Sequence, residues 1–176
     1  MNDLSNVNED SILIFEYFTA SGVDDPTIIS EAEEIIRSLA IELKDFDVYA
    51  LVSKNFENIF EDICKEYDFK IKTVIIDDDS ETPLENWLEK NANIFSKSIF
   101  IAAENDMNLY NLTTILEKNN VKIYCSNSKA VEIASDKFIT FNYLNNKVKQ
   151  PRTFNIDSKD VLNEELFLDE NNSNKD

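Results

Sequence analysis

One acidic side chain stands inside the most apolar run of this chain, Glu16 in SILIFEYF, residues 11–18. Taking a carboxylate out of water costs several kcal/mol unless a partner offsets it. Glu16 therefore either faces a cleft, where it could hold a ligand, or accepts hydrogen bonds from the chain itself. Shortly after it, Ser21-Gly22 brings the single glycine of the chain into the turn TASGVDDPT. A second concentration of acid, Asp77 to Asp79, ends the run IKTVIIDDD and reads as a solvated loop. The two cysteines, Cys64 and Cys125, have no metal-ligand spacing, and a chain without histidine cannot assemble the usual zinc sets. They read as reduced thiols, and no metal site is expected.

Phosphate chemistry has little to build on. FTASG lacks two of the three glycines of a dinucleotide fingerprint, and no Gly-rich loop is followed by Lys and Ser or Thr. Without small residues free to take positive φ, the backbone cannot wrap a pyrophosphate closely. A phosphoreceiver site around Asp77 would need an acidic pair after the first strand and a lysine after the fifth. The chain offers FEYF and CSNS there, so nothing would neutralise an acyl phosphate.

The elements that must position these residues follow from periodicity. SILIFEYF, DVYALVS, IKTVIID, SIFIAA and VKIYCS are short apolar runs, the mark of strands covered on both faces. Between them lie helical periods. From Pro26 to Leu43 the residues Ile28, Ile29, Ala32, Ile35, Ile36, Leu39, Ala40 and Leu43 line one helical face, with Asp25 as N-cap and Pro26 at the first helical position. NFENIFEDICKEY, ETPLENWLEKNANIF and DMNLYNLTTILEKN read as further helices, and SKAVEIAS and DKFITFNYLNNK as two short closing ones. Five strands alternating with helices predict a doubly wound α/β fold with a mostly parallel five-stranded sheet. Function in such sheets gathers at the carboxyl ends of the strands.

The totals set bounds. At 176 residues the chain holds one ordinary domain with loose ends. Its 17 basic and 35 acidic residues leave a formal charge of −18, which repels phosphate backbones and anionic lipid heads, so neither nucleic acid nor membrane is expected as a partner. The polar, acidic N-terminus resembles no targeting segment, no apolar run nears the roughly 18 residues of a spanning helix, and a cytoplasmic location is expected.

Three stretches taken in order, ILIFEYFTASG, AAENDMNLYNLTTILEKNNVKIYCSNSKAVEIASDKFITF and VKQPRTF, resemble the N-terminal region of ATP-grasp ligases. Within that superfamily they are most similar to the archaeal tyramine-glutamate ligase family of methanofuran biosynthesis. The most specific pieces are the FEY..ASG start, the segment AAENDMNLYNLT, and the S.S.A...A.DK..T pair ending in P.TF. The resemblance implies a three-layer, Rossmann-like preATP-grasp domain over residues 11–154, preceding lobes that clasp ATP and Mg²⁺. There a carboxylate is activated as an acyl phosphate and captured by an amine. It makes Glu16, Ser21 and Gly22 candidate substrate contacts. Ser126, Ser128, Asp136 and Lys137 match the element leading into the ATP-grasp lobes, with Lys137 the candidate ATP contact. Read as residues alone, Asp136 is a helix N-cap, Ser126 or Ser128 caps the helix before it, and Lys137 is a surface lysine.

After QPRTF the likeness ends. From Ile156 there are seven acidic residues, two lysines and no glycine, so neither a phosphate grip nor a Mg²⁺ site can be built. The expected organisation is a flexible arm over 1–10, the α/β domain over 11–154, and an acidic, partly disordered tail over 155–176. The chain is expected to be a truncated or stand-alone domain with no catalytic residue of its own, using ATP and Mg²⁺ only if the missing lobes are supplied. Its expected partners are a separate ATP-grasp chain or a second copy. The other expectation is a non-catalytic, Rossmann-like scaffold that pairs with a partner protein, with VLNEELFL, Val161 to Leu168, as a docking segment.

Overall fold

A computed structural model describes residues 4–23, 25–103, 105–151 and 153. The tail expected over 155–176, with its docking segment, lies outside the described residues. Two compact units divide at Glu132/Ile133, within the span expected to be one domain.

The first unit is an α/β layer. In chain order it holds β1 (Ile12–Glu16), α1 (Tyr17–Ser21), α2 (Pro26–Glu42), β2 (Val48–Ser53), α3 (Glu61–Glu66), β3 (Lys72–Ile76), α4 (Pro83–Asn91), β4 (Lys97–Ile101), α5 (Asn108–Lys118) and β5 (Lys122–Ile123), and α6 (Ser128–Ser135) starts in it. The five strands form one sheet in the order β3-β2-β1-β4-β5, all neighbours parallel. The α/β fold read from periodicity is therefore present, with a sheet that is wholly parallel.

Alternation along the strands builds two cores. Leu13 and Phe15 of β1, with Tyr49 and Leu51 of β2 and Val74 and Ile76 of β3, face Leu84 and Leu88 of α4 and Leu112 and Leu116 of α5. Ile12 and Ile14, with Val48, Ala50 and Val52, face Ile36 and Ala40 of α2 and Ile59, Phe60 and Ile63 around α3. Each fully buried Leu or Ile contributes about 1.5–3 kcal/mol relative to exposure. The stacked rings of Phe15 and Phe100, 5.0 Å between centroids, tie β1 to β4.

Local signals explain α2. Asp25 Oδ1 accepts from Thr27 N at 2.9 Å, Pro26 takes the first helical position, and Ala32, Ile36 and Ala40 form the buried stripe. The helix expected over Asn55–Tyr67 is broken, by contrast, into a 3₁₀ turn, Lys54–Phe56, and the short α3. At the junction Arg37 of α2 donates from Nη1 to Ile59 O at 2.9 Å, and Ile63 N, the usual helical donor to that carbonyl, bonds to Asp62 Oδ1 at 2.8 Å instead. The last strand is also shorter than VKIYCS, since only Lys122 and Ile123 pair with β4.

Residues 4–10, expected as a flexible arm, are tied to the domain. Leu4 and Val7 pack on the first core, Ser96 Oγ donates to Glu9 O at 2.7 Å, and Lys97 pairs with Asp10 at 3.3 Å. At this amino end of the sheet Asp47 accepts from Ser11 Oγ at 2.6 Å and from Lys72 Nζ at 2.5 Å, while Lys72 also reaches Tyr49 Oη at 3.0 Å.

In the second unit α7 (Lys137–Leu144) starts at Asp136, whose Oδ1 accepts from Phe138 N at 2.7 Å and Ile139 N at 2.9 Å. No residue of α7 is buried, and Ile139, Tyr143 and Val148 are exposed apolar side chains.

Burial alone would raise the Asp47 pKa, but the hydrogen bonds from Lys72 and Ser11 and the Lys72 charge outweigh it and hold the carboxyl below its usual value. A depressed carboxyl contributes stability above its unfolded pKa of about 3.9 and loses it as pH falls through the folded value. Asp47→Ala is expected to cost about 1–2 kcal/mol in urea unfolding at pH 7, with the gap from wild type closing below about pH 4.

Candidate functional site

Glu16 occupies the last position of β1 and opens α1. Its Oε1 accepts from Phe18 N at 3.1 Å and its Oε2 from Thr19 N at 3.0 Å, while Thr19 Oγ1 donates to Glu16 O at 3.1 Å. Only 3% of the residue is exposed. The buried carboxylate is thus satisfied by the backbone of the next turn, the structural one of its two readings. Where a plain turn was expected, FEYFTASG makes a one-turn helix closed at the other end by Gly22. At φ +76° Gly22 donates its N–H to Phe18 O at 3.1 Å, a left-handed C-cap.

Gly22 is required for a second reason. A Cβ there would stand 3.2 Å from both Cβ and Oγ of Ser53, the last residue of β2. Gly22 and Ser53 border a cleft of about 200 Å³ at the carboxyl ends of β2 and β3, together with Ser21, Lys54 and Asp77 to Asp79. Lys54 Nζ bonds both oxygens of Asp77, at 3.0 and 3.2 Å, and Asp78 Oδ1 accepts from Ser80 N at 2.9 Å. The Ser80 hydrogen bonds lower the Asp78 pKa, and the Asp77 partnership raises that of Lys54. The acidic loop expected from IIDDD is therefore one wall of this cleft.

A larger cleft of about 470 Å³ adjoins it through the shared residues Ser21 and Pro83. Tyr17 and Ser21 of α1, Glu81, Glu85 and Glu89 along α4 and its approach, and Asn108, Asn111 and Lys118 of α5 surround it. Burial first, then the nearby charge of Glu85, raises the Tyr17 pKa against a hydrogen bond with Asn108, so the phenol stays protonated. The two clefts form an acid-lined trench with one aromatic wall, suited to a cationic or hydroxylated ligand more than to an anion.

Of the residues singled out in the sequence, Ser21 and Gly22 border this trench. Glu16 borders a different groove, of about 220 Å³ with Phe18, Ile28, Ile35 and Ile101. Lys137 belongs to the other unit, exposed at the start of α7, where the Asp136 carboxylate already takes the first amides. The helix α6 is capped by neither Ser126 nor Ser128. Asn127 Oδ1 accepts from Ala130 N at 2.9 Å, and Ser128 itself bonds Glu117 through N at 3.0 Å and through Oγ. Among the described residues no group of three or more His, Cys, Asp or Glu could hold a metal ion. No described helix is long and apolar enough to cross a membrane.

A solved structure from Archaeoglobus fulgidus, described as an ATP-grasp superfamily protein, shares the fold with a TM-score of 0.57 and 23% identity over 81% of this chain and 41% of its own. The tyramine-L-glutamate ligase of Methanocaldococcus fervens is 35% identical over 145 residues, and that of Methanocaldococcus jannaschii 34% identical over 147. Each match covers 81% of this chain but only 48% and 45% of the relatives, so the chain spans about half their length. No family model matches. Over that stretch the chain is similar in sequence to tyramine-L-glutamate ligases and in fold to the ATP-grasp superfamily structure.

Two substitutions test the local architecture. Glu16→Ala is expected to lower stability by about 1–3 kcal/mol, because it leaves one buried and one half-buried N–H group without acceptors; a melting midpoint equal to wild type would show that the cap is dispensable. Gly22→Ala is expected to cost about 1–2 kcal/mol through positive φ and the contact with Ser53, read by the same melt.

Proposed function

We propose that this chain provides the substrate-side, N-terminal part of an ATP-dependent carbon-nitrogen ligase joining tyramine to L-glutamate, as in methanofuran synthesis in an archaeal cytoplasm. The alignment with two tyramine-L-glutamate ligases over 81% of the chain carries the reading. The trench supports it: an acid-lined cleft with a tyrosine wall suits a small aromatic amine. In this reading Ser21 and Gly22 shape the substrate cleft, and Glu16 holds the turn that presents them. ATP and Mg²⁺ are gripped by residues other than those described, in a further segment or a separate ATP-grasp chain, and this α/β domain does not turn over by itself.

A test joins residues 1–154 to the remaining portion of the M. jannaschii ligase and follows ADP release with ATP, Mg²⁺, tyramine and glutamate. Release that needs both tyramine and glutamate is expected from the fusion and none from the present chain alone. A fusion that is folded by circular dichroism and releases ADP with another amine but not with tyramine would overturn the assignment, as would brisk release from the chain by itself.

A second reading is favoured by the exposed apolar side chains Ile139, Tyr143 and Val148. The domain would then serve as a non-catalytic pairing module. Sedimentation of the chain as a concentration-independent monomer would count against self-pairing.

A further inference from the structure

We infer that the smaller cleft, at the carboxyl ends of β2 and β3, is a subsite for a primary ammonium group, with Ser53 Oγ and Asp79 as its two recognising groups. The inference deepens the ligase reading and rests on it, since it assigns the cleft to the amine such an enzyme would join.

Ser53 is the starting point. The residue is 8% exposed, and its hydroxyl is buried with no hydrogen-bond partner among the described residues. A buried hydroxyl left unpaired costs about 1–3 kcal/mol. Native structures keep such a group where a ligand, ion or water completes it. Ser53 borders the cleft, and Gly22 packs so closely against it that an added Cβ there would stand 3.2 Å from its hydroxyl.

The surrounding charge selects the ligand. Lys54 is committed to Asp77 and the Ser80 amide to Asp78. Asp79 borders the same cleft with neither hydrogen bond nor ion pair among the described residues. Three carboxylates beside one lysine disfavour an anion. A metal ion is disfavoured as well, because these acids are not grouped to ligate one. A protonated primary amine fits: it offers three N–H donors, one to the free acceptor of Ser53, one or two to carboxylate, and needs no rigid coordination shell. The passage past Ser21 and Pro83 into the larger cleft gives an aryl-alkyl body a way out toward Tyr17 and Val23.

The test is a two-dimensional amide NMR titration of the full chain with tyramine, with 4-(2-hydroxyethyl)phenol, which carries a hydroxyl in place of the amine, with methylamine, and with Mg²⁺ alone. Tyramine is expected to shift the amides of Gly22, Ser53 and Asp79 saturably, and the alcohol to bind about tenfold more weakly, the weight of one charge-assisted contact. Ser53→Ala and Asp79→Asn should each weaken tyramine by about three- to tenfold. Ser53→Ala should do so without lowering the melting midpoint, since an unpaired hydroxyl leaves no bond to lose. Equal binding of the alcohol, unchanged affinity in both variants, no saturable shift with any amine, or the same shifts from Mg²⁺ alone would each overturn the subsite. Methylamine saturating the cleft while tyramine does not would keep the subsite and sink the tyramine reading. Tyramine saturating at other residues would do the reverse.

Discussion

Strand β1 is buried at every one of its five residues and hydrogen-bonded on both edges, to β2 and to β4. Every other element answers to that constraint. A parallel neighbour cannot be reached by a hairpin, so each connection must cross a face of the sheet. Because β1 needs cover on both faces, the crossings divide between them, α2 and α3 over Ile12 and Ile14, α4 and α5 over Leu13 and Phe15. The one charged residue of the strand, Glu16, is admissible because it comes last, where the next turn supplies N–H groups. The same turn delivers Ser21 and Gly22 to the carboxyl side of the sheet, so core and cleft share one cause.

What could be read from sequence was whatever is decided within a few residues. The strand SILIFEYF and the helix from Pro26 were legible because burial period, N-cap and proline all agree locally. The short α1 was not, since glutamate is not among the favoured N-caps and one helical turn has no period to detect. The break in the helix near Asn55 was invisible in the local pattern, and the Arg37 side chain that bonds Ile59 O at the start of α3 comes from another helix. For the site, Ser21 and Gly22 stood out as the only loop glycine and its neighbour, and the resemblance to ATP-grasp ligases drew attention to them. The opposite wall, Glu81 to Glu89 with Asn108 and Asn111, meets them only once strand order is set. That order is not written in any local pattern.

Polar groups are paired to different degrees around the two ends of the sheet. At the amino end Ser11, Asp47, Lys72 and Tyr49 satisfy one another. At the carboxyl end Lys54 pairs with Asp77, but among the described residues Ser53 Oγ is unpaired and Asp79 has no bonded partner, and the Tyr17 phenol keeps its proton in an acidic setting. A closed network stabilises and is chemically quiet, whereas an open one leaves donors and acceptors for something else to use. The asymmetry is what the fold predicts, since the carboxyl ends of parallel strands are where ligands gather.

The strand order also governs how the molecule comes together. The sequence ILIFE can pair with β2 early, but its other edge waits for β4, which arrives only after β3 and α4 have been laid down. Until then a strand edge apolar but for its last residue faces water, the kind of surface that recruits copies of itself. Distant pairing of this sort also slows folding. The first unit is therefore most exposed to misassembly in the interval before Phe100 closes against Phe15, so chain concentration during synthesis, more than final stability, should set its yield.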